Sequence, residues 1–114
     1  MKFESNDRVL LLELADEKTV REYAAMVGDG ALVILGEGDA LYDVRAECRD
    51  VENAMFTQGT IDLIPWGVAQ FHHAVLEKST CTPNALKEIW RVLMPGGSLW
   101  LIYGAETLRF QRTS

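Results

Sequence analysis

Apolar runs alternate with amphipathic stripes along this chain, and the alternation predicts its elements. Arg8 to Leu14 (RVLLLEL) is almost continuously apolar, as in a strand covered on both faces. Asp16 follows as a helix cap, and Val20, Tyr23, Ala24 and Val27 then recur at i, i+3, i+4 and i+7. Glu17–Arg21 and Lys18–Glu22 add i,i+4 pairs to the exposed side, and Gly28-Asp29-Gly30 ends the helix. Ala31 to Leu35 predicts a second buried strand. Beyond Gly36-Glu37-Gly38 the pattern predicts a short segment at Ala40 to Asp43, a third strand at Val44 to Cys48, and a loop from Asp50 to Gly59. Ile61 to Ile64 (IDLI) predicts a fourth strand closed by Pro65 and Gly67, and Val68, Phe71 and Val75 predict a short helix.

Thr82-Pro83 is a helix start, with a hydroxyl cap and proline in the first turn. Leu86, Ile89, Trp90 and Leu93 form its apolar stripe, Pro95-Gly96-Gly97 breaks it, and Ser98 to Tyr103 (SLWLIY) predicts a fifth strand. Buried strands alternating with helices predict a parallel sheet in a doubly wound, Rossmann-like α/β domain.

At 114 residues the chain is one domain, with 48% hydrophobic and 25% charged residues, a globular balance. Its core is small, which favours self-association as a way to cover leftover apolar surface. Eleven Lys and Arg against 17 Asp and Glu give a net charge of −6. The basic residues are scattered, and Arg109 with Arg112 is too thin a cluster for a phosphate-binding surface, so nucleic acid is not an expected partner. A cationic ligand group, such as a sulfonium or an amine, is better tolerated. Cys48 and Cys81 lack metal-ligand spacing and no leader-like segment is read, so reduced thiols in a cytoplasmic protein are expected. No apolar run approaches the roughly 20 residues of a membrane span.

Two stretches resemble class I S-adenosylmethionine-dependent methyltransferases. Asn84 to Ile102 (NALKEIWRVLMPGGSLWLI) is similar to the family's helix, proline-glycine turn and fifth strand. Cys48 to Ile64 (CRDVENAMFTQGTIDLI) resembles its third-strand loop and fourth strand, and Gln70 to Ala74 (QFHHA) the opening of the next helix. The proline-glycine turn itself is structural, because glycine permits the positive φ of a tight reversal.

The resemblance implies S-adenosylmethionine as cofactor, lying across the carboxyl ends of the first three strands. Two registers compete. With Leu32–Ala40 as the first cofactor loop, a helix, a strand and another helix are missing. With Arg8–Leu14 as the first, central strand and Ala31–Gly36 as the second, only the following helix is short, and this register is preferred. Glu37 then falls at the position of the ribose-binding acid, and Asp50, beside Val51, at the adenine position. The first loop becomes Glu13-Leu14-Ala15-Asp16-Glu17, which carries no glycine. Its side chains obstruct the close backbone approach that glycine allows, and its carboxylates oppose the ligand's own.

Bland readings stand beside these. Glu37 also reads as a solvated turn acid and Asp50 as a loop cap. Trp66 reads either as the wall of an acceptor pocket or as packing. Neighbouring His72 and His73 point about 100° apart on a helix, so no metal site is expected; His72 could line the acceptor pocket. Asp62 reads as a backbone tie. No nucleophile–base grouping supports hydrolysis, and Leu41 stands where a dinucleotide motif needs its third glycine.

The expected fold is therefore a minimal methyltransferase-like domain of about five mostly parallel strands lacking the last two. Its fifth strand is expected to be an open edge, because Gly104 to Ser114 is too short for an antiparallel pair. A homodimer, or a complex with a larger protein, is expected to cover that edge or the adjacent Trp90 face. The function is expected to be that of a degenerate, non-catalytic binding or partner subunit. The alternative is a small active methyltransferase with an atypical cofactor loop.

Overall fold

A computed structural model of the chain describes residues 1–13, 16–77 and 81–113. Nine elements follow one another: β1 (Arg8–Leu11), α1 (Glu17–Val27), β2 (Ala31–Gly36), α2 (Gly38–Glu47), β3 (Ala54–Gln58), β4 (Phe71–Glu77), α3 (Pro83–Val92), β5 (Leu93–Tyr103) and β6 (Glu106–Gln111). They build one six-stranded sheet of order β3-β2-β1-β4-β5-β6. The first five strands are parallel and β6 is antiparallel to β5. β1 therefore lies at the centre, and the chain reverses its lateral direction between β3 and β4. That places a topological switch point beside β1.

Two apolar layers sandwich this sheet. Val9, Leu11, Leu32, Ile34 and Val75 face α1, whose Val20, Ala24 and Val27 meet them. Leu10, Val33, Leu35, Ala74, Leu76 and Leu99 face α3 through Ile89 and Val92. Alternate residues of one strand thus enter opposite layers, which is why β1, β2 and β4 read as continuous apolar runs. Asp16 caps α1 by accepting from the Thr19 N–H at 2.8 Å, and Thr82 caps α3 by accepting from Ala85 N–H at 3.1 Å.

Several sequence expectations are corrected here. The predicted first strand ends at Leu11, and its Leu14 lies outside the described residues. Val44 to Glu47 is helical, not strand, with Cys48 capping α2. Gly38, at φ +69, turns the chain directly into that helix; Leu41, Val44 and Cys48 line its inner side, with Asp39 in the first turn and Arg45 in the last. The third strand is instead Ala54–Gln58, within the expected loop.

Ile61 to Ile64 is a turn in which Leu63 N–H donates to Thr60 C=O at 3.3 Å. The expected helix around Phe71 and Val75 is the central strand β4. Its Ala74, Val75 and Leu76 are buried on both faces, an environment that i+4 spacing does not reveal. The sheet also has six strands, not five. Gly104, at φ +59, opens a two-residue reversal between the paired Tyr103 and Glu106, so eight further residues suffice to return along β5. The edge on this side of the sheet is therefore β6, not β5.

The proline-glycine segment forms the start of β5 rather than a linker before it. Its pairing with β4 shifts register between Phe71 and His73. Gly96 has φ +84, and a Cβ on Gly97 would lie 2.8 Å from Met94 O and 2.9 Å from His72 O. A side chain at Gly96 would be strained by its positive φ, and none fits at Gly97 without backbone movement.

Candidate functional site

A cleft of about 340 Å³ opens at the carboxyl ends of β1, β2 and β3, beside the switch point. Its rim comes from three places: Glu13 after β1, Gly36 and Glu37 at the end of β2, and Gly59 to Asp62 after β3. Glu13 holds φ +67, a left-handed conformation costing a side-chain-bearing residue about 1–2 kcal/mol. Glu37 is the N-cap residue of α2 but makes no side-chain cap hydrogen bond, and it lines the cleft. Gly59 donates from its N–H to Gly36 C=O at 2.9 Å. A Cβ there would meet Pro65 Cδ at 2.8 Å and Leu35 Cδ1 at 3.0 Å, so glycine lets the third turn lie on the end of β2.

That third turn is held from α3. Arg91 donates to Trp66 C=O at 2.7 Å and Ile64 C=O at 2.8 Å, and pairs with Glu88 at 2.8 Å. Glu88 in turn accepts from Ile64 N–H at 2.7 Å. The Arg91 guanidinium holds the Glu88 carboxyl below its ordinary range. Asp62 accepts from the Thr82 hydroxyl at 3.3 Å, which tethers the turn to the start of α3.

Three carboxylates, Glu13, Glu37 and Asp62, line this cleft with no Lys or Arg among its described walls. Such a lining suits hydroxyl, amino or cationic groups and opposes anions. The rest of the acidic first turn is otherwise engaged. Asp16 caps α1, its carboxyl lowered by the Thr19 hydrogen bond, and Glu17 pairs with Arg21 at 3.0 Å.

The structure brings together Glu13 and Glu37 of the sequence candidates, and adds Asp62. Asp50 and Val51 lie elsewhere, on the segment leading from α2 into the start of β3. Asp50 accepts from both terminal nitrogens of Arg21, at 2.8 and 2.9 Å, and that guanidinium pulls its pKa to about 2. Val51 is half-buried against the α1 layer. Trp66 packs edge-on against Phe71, ring centroids 5.3 Å apart, and does not line the cleft. His72 sits at the opposite end of the sheet, where its Nδ1 accepts from Arg8 N–H at 2.9 Å. Asp62, four residues past β3, reads from the sequence only as a backbone tie, because its place in the cleft depends on where the third strand ends.

The sequence matches no protein-family model and no curated protein. Solved structures do match the fold. A proposed methyltransferase in complex with the Haloferax volcanii Trm112 methyltransferase activator superposes with a TM-score of 0.77 at 25% identity over 89% of this chain. A SAM-dependent methyltransferase from Aquifex aeolicus gives 0.73 at 16% identity over 86%. The [4+2]-cyclase SpnF gives 0.75 at 17% identity over 86%. The chain spans 46%, 56% and 39% of those three proteins, respectively.

Proposed function

From a chain that has the class I S-adenosylmethionine-dependent methyltransferase fold, we propose a degenerate, non-catalytic binding or partner subunit acting in the cytoplasm. The observation that carries this reading is Glu13. It occupies the turn after the central strand, where the family presents bare glycine backbone to the methionine part of its cofactor. The carboxylate of that ligand would meet a carboxylate there, at about 1–4 kcal/mol for a 4 Å contact in partly solvated surroundings. The fold itself leaves the chemistry open, since it carries a cyclase as well as methyltransferases.

The Haloferax neighbour is found in complex with a methyltransferase activator, and we assign this chain an association with a partner as well. The surface we assign is β6, exposed at every residue. Arg112 exchanges hydrogen bonds with Gly96 and Gly97 of β5. By antiparallel alternation Thr107, Arg109 and Gln111 then turn their backbone N–H and C=O outward. A second copy pairing antiparallel along β6 would satisfy those groups and cover Leu108 and Phe110, which are 40% and 46% exposed.

One observation favours the active-methyltransferase reading. Glu37 and Asp62 stand at the ends of β2 and β3 in one cleft, where ribose hydroxyls and an adenine amino group would need acceptors. Calorimetric titration with S-adenosylmethionine and S-adenosylhomocysteine separates the two. The expected result is no binding up to millimolar ligand. A micromolar dissociation constant, about −8 kcal/mol, that is lost in Glu37→Ala and Asp62→Ala would overturn the non-catalytic assignment.

A further inference from the structure

A second cleft, of about 560 Å³, lies at the amino ends of β4 and β5, at the end of the sheet opposite the acidic cleft. Its floor is the sheet face formed by His73, Ser98, Trp100 and Arg109. On that face α1 and α2 pack over β1, β2 and β3 and reach Val75 of β4, whereas over the amino end of β4 the amino-terminal segment supplies Phe3, its ring tilted 54° to that of His73 with centroids 4.8 Å apart. The cleft thus owes its shape to the end of helical cover.

Its polar groups are held in a fixed order. Asp7, almost fully buried, accepts from Glu4 N–H at 2.8 Å and contacts His73 Nε2 at 2.9 Å. Trp100 Nε1–H can only donate, and it donates to His73 Nδ1 at 3.0 Å. The His73 proton therefore sits on Nε2, directed at Asp7. Trp100, fixed by that bond, carries the Arg109 guanidinium over its ring at 5.2 Å, and Arg109 Nε donates to the buried Ser98 hydroxyl at 2.9 Å. Arg109 makes no ion pair with a carboxylate among the described residues. Arg21 and Arg91, by contrast, are both paired. Lys2 and His72 line the same cleft.

We propose that this cleft binds a small oxyanion, a carboxylate or a phosphoryl group, with Arg109 as its principal donor. A guanidinium locked by stacking and by its Nε bond presents its terminal nitrogens in a fixed fork, the geometry that recognises two oxygens on one centre. The Ser98 hydroxyl proton and Lys2 supply further donors. Asp7 also lines the cleft, but it is turned to His73 and the Glu4 amide and forms no ion pair with Arg109. Glu4, on the cleft wall, restricts the ligand to a single oxyanion group rather than a polyphosphate. The site stands whether or not the acidic cleft binds an adenosyl ligand.

The test titrates sodium phosphate and sodium acetate separately into the full chain at low ionic strength, by calorimetry and by the indole N–H resonances. Saturable millimolar binding of at least one anion is expected, with the Trp100 resonance moving and those of Trp66 and Trp90 still. The preferred anion identifies the ligand group. Arg109→Gln should weaken binding at least about tenfold, the loss of one charge-assisted pair. Arg45→Gln, exposed on α2, should leave it unchanged. If Arg109→Gln does not fold, Ser98→Ala should weaken binding about threefold. No saturable response to either anion, equal weakening by Arg45→Gln, or uniform shifts of all three indoles would overturn the proposal.

Discussion

Replacing Arg91 by alanine should damage this protein far more than an ordinary truncation of a charged side chain on α3. The side chain spans from the helix to the turn after β3, which crosses the sheet without a helix of its own. Its two hydrogen bonds to the Ile64 and Trp66 carbonyls are charge-assisted, at 2.8 and 2.7 Å. Such bonds contribute about 1.5–3 kcal/mol each. The Arg91 side chain is 32% exposed and Glu88 16% exposed, so water takes over part of both roles in the variant. That discount brings the expected loss to about 2–4 kcal/mol, from the 5–15 kcal/mol typical of a domain.

Urea denaturation followed by circular dichroism, with m unchanged, reads the loss directly. The Glu88 carboxyl is lowered by Arg91, so its contribution is present above the unfolded value, about 4.3, and fades as pH falls through the lowered folded value. The gap between wild type and Arg91→Ala should therefore narrow on acidification. A loss below about 0.5 kcal/mol, the range of ordinary surface substitutions, would refute the claim that α3 holds the turn.

Three further outcomes follow from the same geometry. Glu13→Gly removes a left-handed side-chain penalty of about 1–2 kcal/mol and adds unfolded-state entropy worth about 0.5–1 kcal/mol; urea titration should show a net gain of about 0.5–1 kcal/mol, and any destabilisation would contradict the strain. Burial holds the His73 imidazole below its usual range, against the opposing pull of Asp7 and with minor downward contributions from His72 and Arg109. The unfolded chain thus takes up the proton first, so stability should fall as pH drops from about 6.5 toward the lowered folded value, and thermal melts of His73→Gln should lack that step. Size-exclusion with light scattering at micromolar concentration should give a dimer that Phe110→Lys with Leu108→Lys converts to monomer; a wild-type monomer would remove the β6 assignment.

How far the chain could be read depended on how many faces each element buries. α1 carries a cap, one apolar side and a stop, and its bounds fall where Asp16 and Gly28 place them; α3 starts where Thr82 and Pro83 place it but ends at Val92, so Leu93 of its expected stripe opens β5 and Leu86 is exposed. β2 and the Leu99–Tyr103 part of β5 are apolar runs and are recognisable as strands. The middle of the chain resisted because its signals conflict. Ala54–Gln58 is an edge strand with a half-exposed Met55 and no clean alternation. β4 mimics helical spacing because both of its faces are buried. α2 is short, with one fully buried side chain, Leu41, so its stripe is faint. Shifting the third strand from Val44–Cys48 to Ala54–Gln58 moved everything that depends on it, including the acid assigned to that strand's end.

The site shows the same dependence. Glu37 was placed from the end of an unambiguous strand, and it lines the cleft. Asp50 was placed from the end of a strand that does not exist at that position, and it serves α1 as an ion-pair partner of Arg21 instead. Asp62 belongs to the real third turn and takes the place in the cleft that Asp50 does not. What local pattern could not supply was the tether, because Glu88 and Arg91 read as solvated helix charges until Ile64 and Trp66 are seen beneath them. The helix that resembles the methyltransferase family most closely is therefore the one that positions the third wall of the acidic cleft. Its charged pair explains how a sheet crossing without a helix can still present Asp62 at a fixed point. The resemblance in sequence thus falls on residues that hold the cleft together, and the proposed non-catalytic role turns on Glu13, at the cleft's first wall.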